Sequence, residues 1–291
     1  FHPRAHRRDR REEAEQMEFI YASSYYIPYA YYWGHSNTMQ IEWIPLIFLL
    51  FEKISKTDQL KYSIWLGIAM ALQVFSGSQN TVYLTFIIPL YVTLSHMFNG
   101  KTLGRTFKNM GSSGILALAI TGYYAYRKIT TPSIVRTLEE NMNTDWRLNS
   151  LQELVDIHDH LFIGIVQLAL LVVAIYLIMG KYKAYKHYVP FVIIFFFVLL
   201  CMFGPFSVFA PYYWLYKLWP LVNSFRVPFR MFPFMLTALS MLCALPVVEI
   251  DGSRIRGSVP YVLVATVLLV TIQILLSPWL TNLHIYTLHE K

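Results

Sequence analysis

Nine apolar runs, each parted from the next by a polar break, decide what this chain can become. They lie at approximately Met17–Trp33, Met39–Phe51, Tyr62–Ser76, Thr81–Phe98, Gly111–Tyr126, Leu161–Met179, Val189–Phe203, Met231–Val248 and Val259–Leu276. A helix needs roughly 17–25 apolar residues to cross a bilayer, so the shorter runs imply thin or tilted packing. The first two are the least regular. Met17–Trp33 is Tyr-rich and interrupted by Pro28, and Met39–Phe51 carries Glu42 and Pro45 and reads as partly interfacial. The expected fold is all-α, a polytopic transmembrane helical bundle with about nine membrane segments.

Composition supports this. Only 14% of residues are charged, against about 25% in a typical soluble domain, because lipid-facing helices carry charge at high cost. The net charge of +7 is therefore read as a loop bias, and a nucleic-acid partner is excluded. Cys201 and Cys243 fall inside apolar runs without metal-ligand spacing, so they read as small core residues. The expected organisation is a charged leader over 1–16, cytoplasmic or disordered, a helical membrane domain over 17–279, and a tail over 280–291. Because the chain begins at Phe1, it is expected to be a fragment or a processed product.

If all nine runs cross, the cations divide unevenly. One side holds sixteen, among them Arg4, Lys53, Lys61, Lys108, Lys181, Lys183 and Arg254. The other holds eight: Arg127, Lys128, Arg136, Arg147, Lys217, Arg226, Arg230 and Lys291. The positive-inside rule puts the richer side in the cytoplasm. The expectation is an integral protein of the plasma membrane with its N-terminus cytoplasmic and its C-terminus outside. The outer loops, including 127–160 and 204–230, then collect the unusual chemistry, as loops on a rigid scaffold often do. Within the first of these, Leu148, Leu151, Leu154 and Val155 fall on one face of a predicted amphipathic helix at Leu148–Ile157, with Asn149 as its cap.

Phe206–Arg230 is the most informative stretch. It is aromatic, punctuated by Pro211, Pro220 and Pro228, and holds Lys217, Arg226 and Arg230 on the side where cations are sparse. Guanidinium groups fork onto phosphate oxygens, which makes these three the candidate ligands for a lipid phosphate. The plainer alternative is that the arginines anchor the helix at the headgroups. GHSNTMQIEWIPL places His35, Asn37 and Glu42 about the outer end of a helix, and GSQNTVY places Gln79 and Asn80 at an outer junction. These are candidates for sugar or acceptor binding, with Glu140 of the long loop beside them. Against that stand a structural hydrogen bond for Glu42 and a tight turn for Gln79 and Asn80. DIHDH at Asp156–His160 has poor spacing for one helical face. Asp156 pairs with Asp159 or His160 while His158 points elsewhere, so Asp156 and His160 are weak metal candidates, no cofactor is firmly implied and a divalent ion is left open.

The order of these features resembles a group of prokaryotic polytopic proteins of the GT-C glycosyltransferase superfamily. The likeness is carried by Gly34, His35 and Asn37, then Glu42, Trp43, Pro45, Leu46 and Glu52–Lys53. It continues through Gln73, Gly77, Gln79 and Tyr83, then Arg136–Glu140, Gly204–Pro205 and Phe225–Arg230. The resemblance implies a transferase that moves a sugar from a polyprenyl-phosphate donor to an acceptor at the outer membrane face, with membrane lipid around it. It also implies a catalytic carboxylate in the first outer loop. No residue here matches that acid, so it is expected upstream of Phe1. A transporter or flippase for a lipid-linked saccharide, or a non-catalytic assembly protein, is the alternative. Polar residues gathered at one face, with no repeated half, favour the interfacial enzyme over a transporter.

Overall fold

The computed structural model describes residues 43–57, 59–76, 78–99, 103–130, 147–154, 163–219 and 228–252. The expected runs at Met17–Trp33 and Val259–Leu276, the leader and the tail lie outside these residues. Among the described residues the chain is all-α, without a strand. In order, the helices are α1 Trp43–Thr57, α2 Leu60–Ser76, α3 Ser78–Asn99 and α4 Leu103–Thr130, then α5 Ile165–Gly180, α6 Tyr182–Tyr185 and α7 Val189–Met202, and finally α8 Pro211–Leu218 and α9 Phe232–Gly252. Single 3₁₀ turns occur at Leu151–Leu154, Lys186–Tyr188 and Pro228–Met231.

One helical run among the described residues, Tyr182–Met202, is long and apolar enough to cross a membrane, at 21 residues. Leu60–Ser76, Tyr83–Phe98, Ile165–Gly180 and Phe232–Pro246 are shorter apolar helices.

The chain packs as two compact units. One contains the described residues of Asn149–Tyr188 and those from Leu236 onward. In it α5 buries Gln167, Leu171, Ala174 and Ile178, the 4-3-4 spacing of one helical face. Its other face exposes Ile165, Val172, Tyr176 and Met179, the last at 76%, so α5 is apolar on both faces. The Cys243 thiol of α9 donates to the Gln167 carbonyl at 3.3 Å. Lys181 pairs with Glu249, to which the Tyr185 hydroxyl also donates. Cys201 and Cys243 are both buried and free.

The other unit contains α1 to α4, α7, α8 and the start of α9. Its α2 and α4 run parallel in close contact, and Gly67 makes that approach workable. A Cβ there would meet Leu116 Cδ2 and the Ser113 carbonyl oxygen at 2.9 Å each. Ser113 in turn donates to the Ser63 carbonyl at 2.8 Å. In α7, Phe191, Ile194, Phe195, Val198 and Cys201 are buried. The entry into α9 is enclosed all round, with Met231, Phe232, Phe234 and Met235 fully inaccessible. Ile115, Leu118 and Tyr123 of α4 lie exposed.

Four boundaries differ from expectation. The helix expected to end at Phe51 continues through Glu52–Lys53 to Thr57. That expected over Gly111–Tyr126 is 28 residues long, about 42 Å at the usual rise, because Leu103–Met110 and Arg127–Thr130 add polar turns that hydropathy does not score. α9 passes Val248 to reach Gly252, with Glu249 satisfied by Lys181 and Tyr185. The predicted amphipathic helix at Leu148–Ile157 is, over its described part, only the 3₁₀ turn Leu151–Leu154. Leu148 and Leu154 are buried but Leu151 is exposed. The Leu148 N–H is drawn to the Met202 carbonyl at 2.9 Å, and the Leu154 carbonyl accepts from Ile163 N–H at 3.0 Å. Leu148 is thereby tied to the end of α7, and Leu154 to the segment that leads into α5.

Enlarging Gly67 tests the α2–α4 contact. Gly67→Leu is expected to lower stability by about 1–3 kcal/mol through overpacking, seen as a reduced melting temperature of the detergent-solubilised protein. An unchanged melting temperature would mean that the two helices do not meet so closely.

Candidate functional site

Ring and hydrogen-bond contacts within the second unit show which helix ends lie together. Trp43 Nε1 at the start of α1 donates to Ser76 Oγ at the end of α2, at 3.2 Å. Phe75 packs on Tyr124, late in α4, with centroids 5.8 Å apart. Phe86, early in α3, meets Phe197, late in α7, at 5.6 Å, and Trp219, just past α8, at 5.9 Å. Tyr83 stands edge-on to Phe234 at the start of α9. The start of α1, the end of α2, the start of α3, the end of α4, the end of α7 and the start of α9 therefore share one end. Lys53, Lys61 and Lys108 belong to the opposite end of these helices.

At the shared end the chain leaving α7 turns sharply. Gly204 adopts φ 74°, a left-handed conformation that only glycine adopts without strain, and its N–H closes on the Cys201 carbonyl at 2.9 Å. A Cβ on Gly204 would lie 3.4 Å from Pro228 Cγ and 3.6 Å from Arg147 Cδ. The glycine is thus flanked by the two segments that the turn joins to α7: the Arg147 stem from the long loop, and the 3₁₀ turn that carries Arg230. The Leu148–Met202 hydrogen bond holds the Arg147 segment in place using a carbonyl that the end of α7 would otherwise leave unsatisfied.

Beyond the turn, α8 begins with Pro211 at its first position, where proline's missing N–H and fixed φ suit a helix start. Tyr212 and Leu215 point inward and are buried, while Trp214, Lys217 and Leu218 are exposed. The Tyr212 hydroxyl faces Tyr83 of α3, which also lies within electrostatic reach of Arg230. Trp219 Nε1 donates to Thr85 Oγ1 at 3.0 Å, fastening the end of α8 onto α3. Burial, and secondarily the neighbouring Tyr83, pushes the Tyr212 hydroxyl well above the ordinary phenol range.

Of the sequence candidates, Arg230 is half-buried in the Pro228–Met231 turn. Lys217 is exposed, its ammonium 5.8 Å from the centroid of Tyr213. Gln79 and Asn80 lie in the first turn of α3, at the same shared end. His35, Asn37, Glu42, Glu140, Arg226, Asp156 and His160 lie outside the described residues. Among the described residues no three His, Cys, Asp or Glu side chains gather as metal ligands. Two features escaped the sequence reading. One is α8 itself, whose signal was Pro211 followed by seven residues free of glycine and proline. The other is Arg147, whose place beside Gly204 no local motif announces.

No protein-family model, curated protein or solved structure matches this chain. What the shared end can do is read from its own residues. It offers one half-buried guanidinium within electrostatic reach of Tyr83, and a second guanidinium stem beside the Gly204 turn. Such an end suits a group that is anionic at one point and apolar beyond it.

Two outcomes check this geometry. Gly204→Ala is expected to cost about 1–2 kcal/mol, since alanine must enter the left-handed region, with a corresponding fall in melting temperature. For Tyr212 the raised folded pKa sets the sign. Its contribution to stability is complete below the unfolded phenol pKa of about 10 and is lost as pH rises beyond it. Tyr212→Phe should therefore show a smaller loss of melting temperature than the parent between about pH 9 and about pH 11. Equal losses would place Tyr212 in contact with water.

Proposed function

We propose that this chain acts in a membrane as a GT-C-like glycosyltransferase, moving a sugar from a polyprenyl-phosphate-linked donor to an acceptor at the outer face. Two supports stand behind the membrane half of this reading. The expected nine spans account for a helix that is apolar on packed and exposed faces alike, as α5 is, and for the exposed apolar side chains of α4. Lipid then covers the exposed side chains, and tilted or shortened spans accommodate helices such as Ile165–Gly180.

The observation that carries the chemical half is the gathering of Arg147, Gly204, Pro228 and Arg230 at the end away from the lysines of α1, α2 and α4. In the proposed reaction the acceptor oxygen attacks the anomeric carbon and the bond from that carbon to the donor phosphate oxygen breaks. Both bonding electrons leave with the polyprenyl phosphate. Arg226 and Arg230 bear the charge that grows on that phosphate, and Lys217 draws the anionic carrier along the interface. His35, Asn37, Glu42, Gln79, Asn80 and Glu140 are proposed to meet sugar or acceptor hydroxyls. The base that takes the acceptor proton is assigned to no residue of this chain.

The test is transfer of a labelled sugar from polyprenyl-phosphate donors in membranes that contain the protein. Replacing both Arg226 and Arg230 by Gln is expected to reduce transfer by about 10²-fold or more, at unchanged abundance in the membrane. Transfer at the parental rate in that double variant would remove the arginines from the reaction. Movement of the donor across the bilayer without transfer would favour the flippase.

A further inference from the structure

The segment from Phe203 to Trp219 has a second surface, of which the proposed reaction uses Lys217 alone. While Tyr212 and Leu215 turn inward, the opposite side of the same segment exposes Phe206, Val208, Phe209, Trp214 and Leu218, with Phe209 at 90% and Trp214 at 52%. On α8 the exposed Trp214, Lys217 and Leu218 recur at the three- and four-residue spacing of one helical face. The surface is broad, aromatic and continuous in sequence, and it begins within a few residues of Met202, where the membrane-length run Tyr182–Met202 ends.

We infer that α8 and the preceding Phe206–Phe209 turn lie in the headgroup zone of the membrane, with Phe209 and Trp214 inserted among the upper acyl chains. Three features select a phospholipid surface as the occupant. First, the surface continues directly from an apolar helix that passes the length test for a span, so it is delivered to the depth where such a helix ends. Second, Trp and Tyr concentrate here, and their partly polar rings favour the boundary between water and acyl chains over either phase alone. Third, residues 203–219 contain no acidic side chain and carry Lys217, which suits phospholipid phosphates and imposes no repulsion. Lys217 sits over the Tyr213 ring, so its stem can stay against apolar surface while the ammonium reaches the phosphates. The physical consequence is anchorage on two sides. Lipid holds the outer face of α8, while Tyr212 and Trp219 hold its inner face to α3, so the loop that leads on to Arg230 starts from a fixed depth. This inference rests on the membrane half of the proposed function and is independent of sugar transfer.

The test uses the whole chain reconstituted into phosphatidylcholine–phosphatidylglycerol vesicles, with an environment-sensitive fluorophore placed on single introduced cysteines. Cys201 and Cys243 are buried, and unlabelled parent protein measures any background from them. Phe209→Cys and Val208→Cys are the reporting positions, both at exposed side chains whose replacement leaves the packed face untouched. Leu118→Cys, midway along α4 and 63% exposed, is the reference. For the α8 positions the expected result is blue-shifted emission quenched by nitroxide lipids labelled near the glycerol and protected from aqueous iodide. Leu118→Cys should instead respond to nitroxide deep in the acyl chains. Iodide access at Phe209 and Val208, with Leu118 still quenched deep in the lipid, would overturn the inference and leave the membrane reading standing. Iodide access at all three positions would overturn both. Blue-shifted emission insensitive to every lipid quencher, with cross-linking between protomers through Phe209→Cys, would assign the surface to a second copy of the chain and also overturn the inference.

Discussion

The faces that the helices do not pack are as apolar as those that they do. Val172, Val173 and Met179 on α5, like Ile115 and Leu118 on α4, are exposed side chains with no hydrogen-bonding group to offer water. Every square ångström of such surface would oppose solubility by about 25 cal/mol in water. In the proposed membrane setting the same surfaces cost nothing. The hydrophobic effect then ceases to hold helix to helix, because lipid tails are as apolar as leucine. Cohesion must come from close approach and from hydrogen bonds between helices. The α2–α4 contact is built from those materials: Gly67 allows backbone and side chain to meet at contact distance, and Ser113 donates to the Ser63 carbonyl beside it.

The same constraint pushes charge toward helix ends and makes those ends chemically distinct. Lys53, Lys61 and Lys108 stand at one end of the second unit. Aromatic rings, a left-handed glycine and two arginine-bearing segments stand at the other. Glu249, in the last turn of α9, shows what a charge near an apolar run requires: both a cation and a hydroxyl meet it. At the shared end the corresponding support comes from aromatic residues. Tyr83, Phe86, Tyr212 and Trp219 tie α3 to α8 through ring contacts and the Trp219–Thr85 hydrogen bond, and Tyr83 lies within electrostatic reach of Arg230.

Hydropathy made the helices legible because it reads the apolar runs from which most of them are built. The described helices follow the expected runs in order, and their ends alternate as short connections require. It was blind to the polar turns that extend α1, α4 and α9, since Glu52–Lys53, Leu103–Met110 and Glu249 are helical for reasons of local hydrogen bonding and pairing. The predicted helix at Leu148–Ile157 had a sound apolar period. Over Leu151–Leu154 the chain is instead a 3₁₀ turn, flanked by backbone bonds from Leu148 to Met202 and from Ile163 to Leu154, which no local pattern encodes. Arg147 was invisible as more than a loop cation for the same reason. Its significance is a contact with Gly204, 57 positions away by their numbers, created only when the loop returns to the end of α7.

That contact bears on why a turn so tightly specified should sit beside cations at all. An arginine at a bilayer edge can find phosphate oxygens unaided by swinging its long side chain to the headgroups, and the entropy of doing so is easily lost to any anion. For a guanidinium to favour a transition state over a ground state, it must already stand where charge will develop. Gly204 lets the chain reverse immediately after α7, and Pro228 fixes the backbone two residues before Arg230. The Leu148–Met202 hydrogen bond removes the slack from the Arg147 segment. Each device spends conformational freedom during folding, so less remains to be lost when an anion arrives. The proposed transfer reaction, which must hold one phosphate in one orientation, is the reading that makes use of that arrangement.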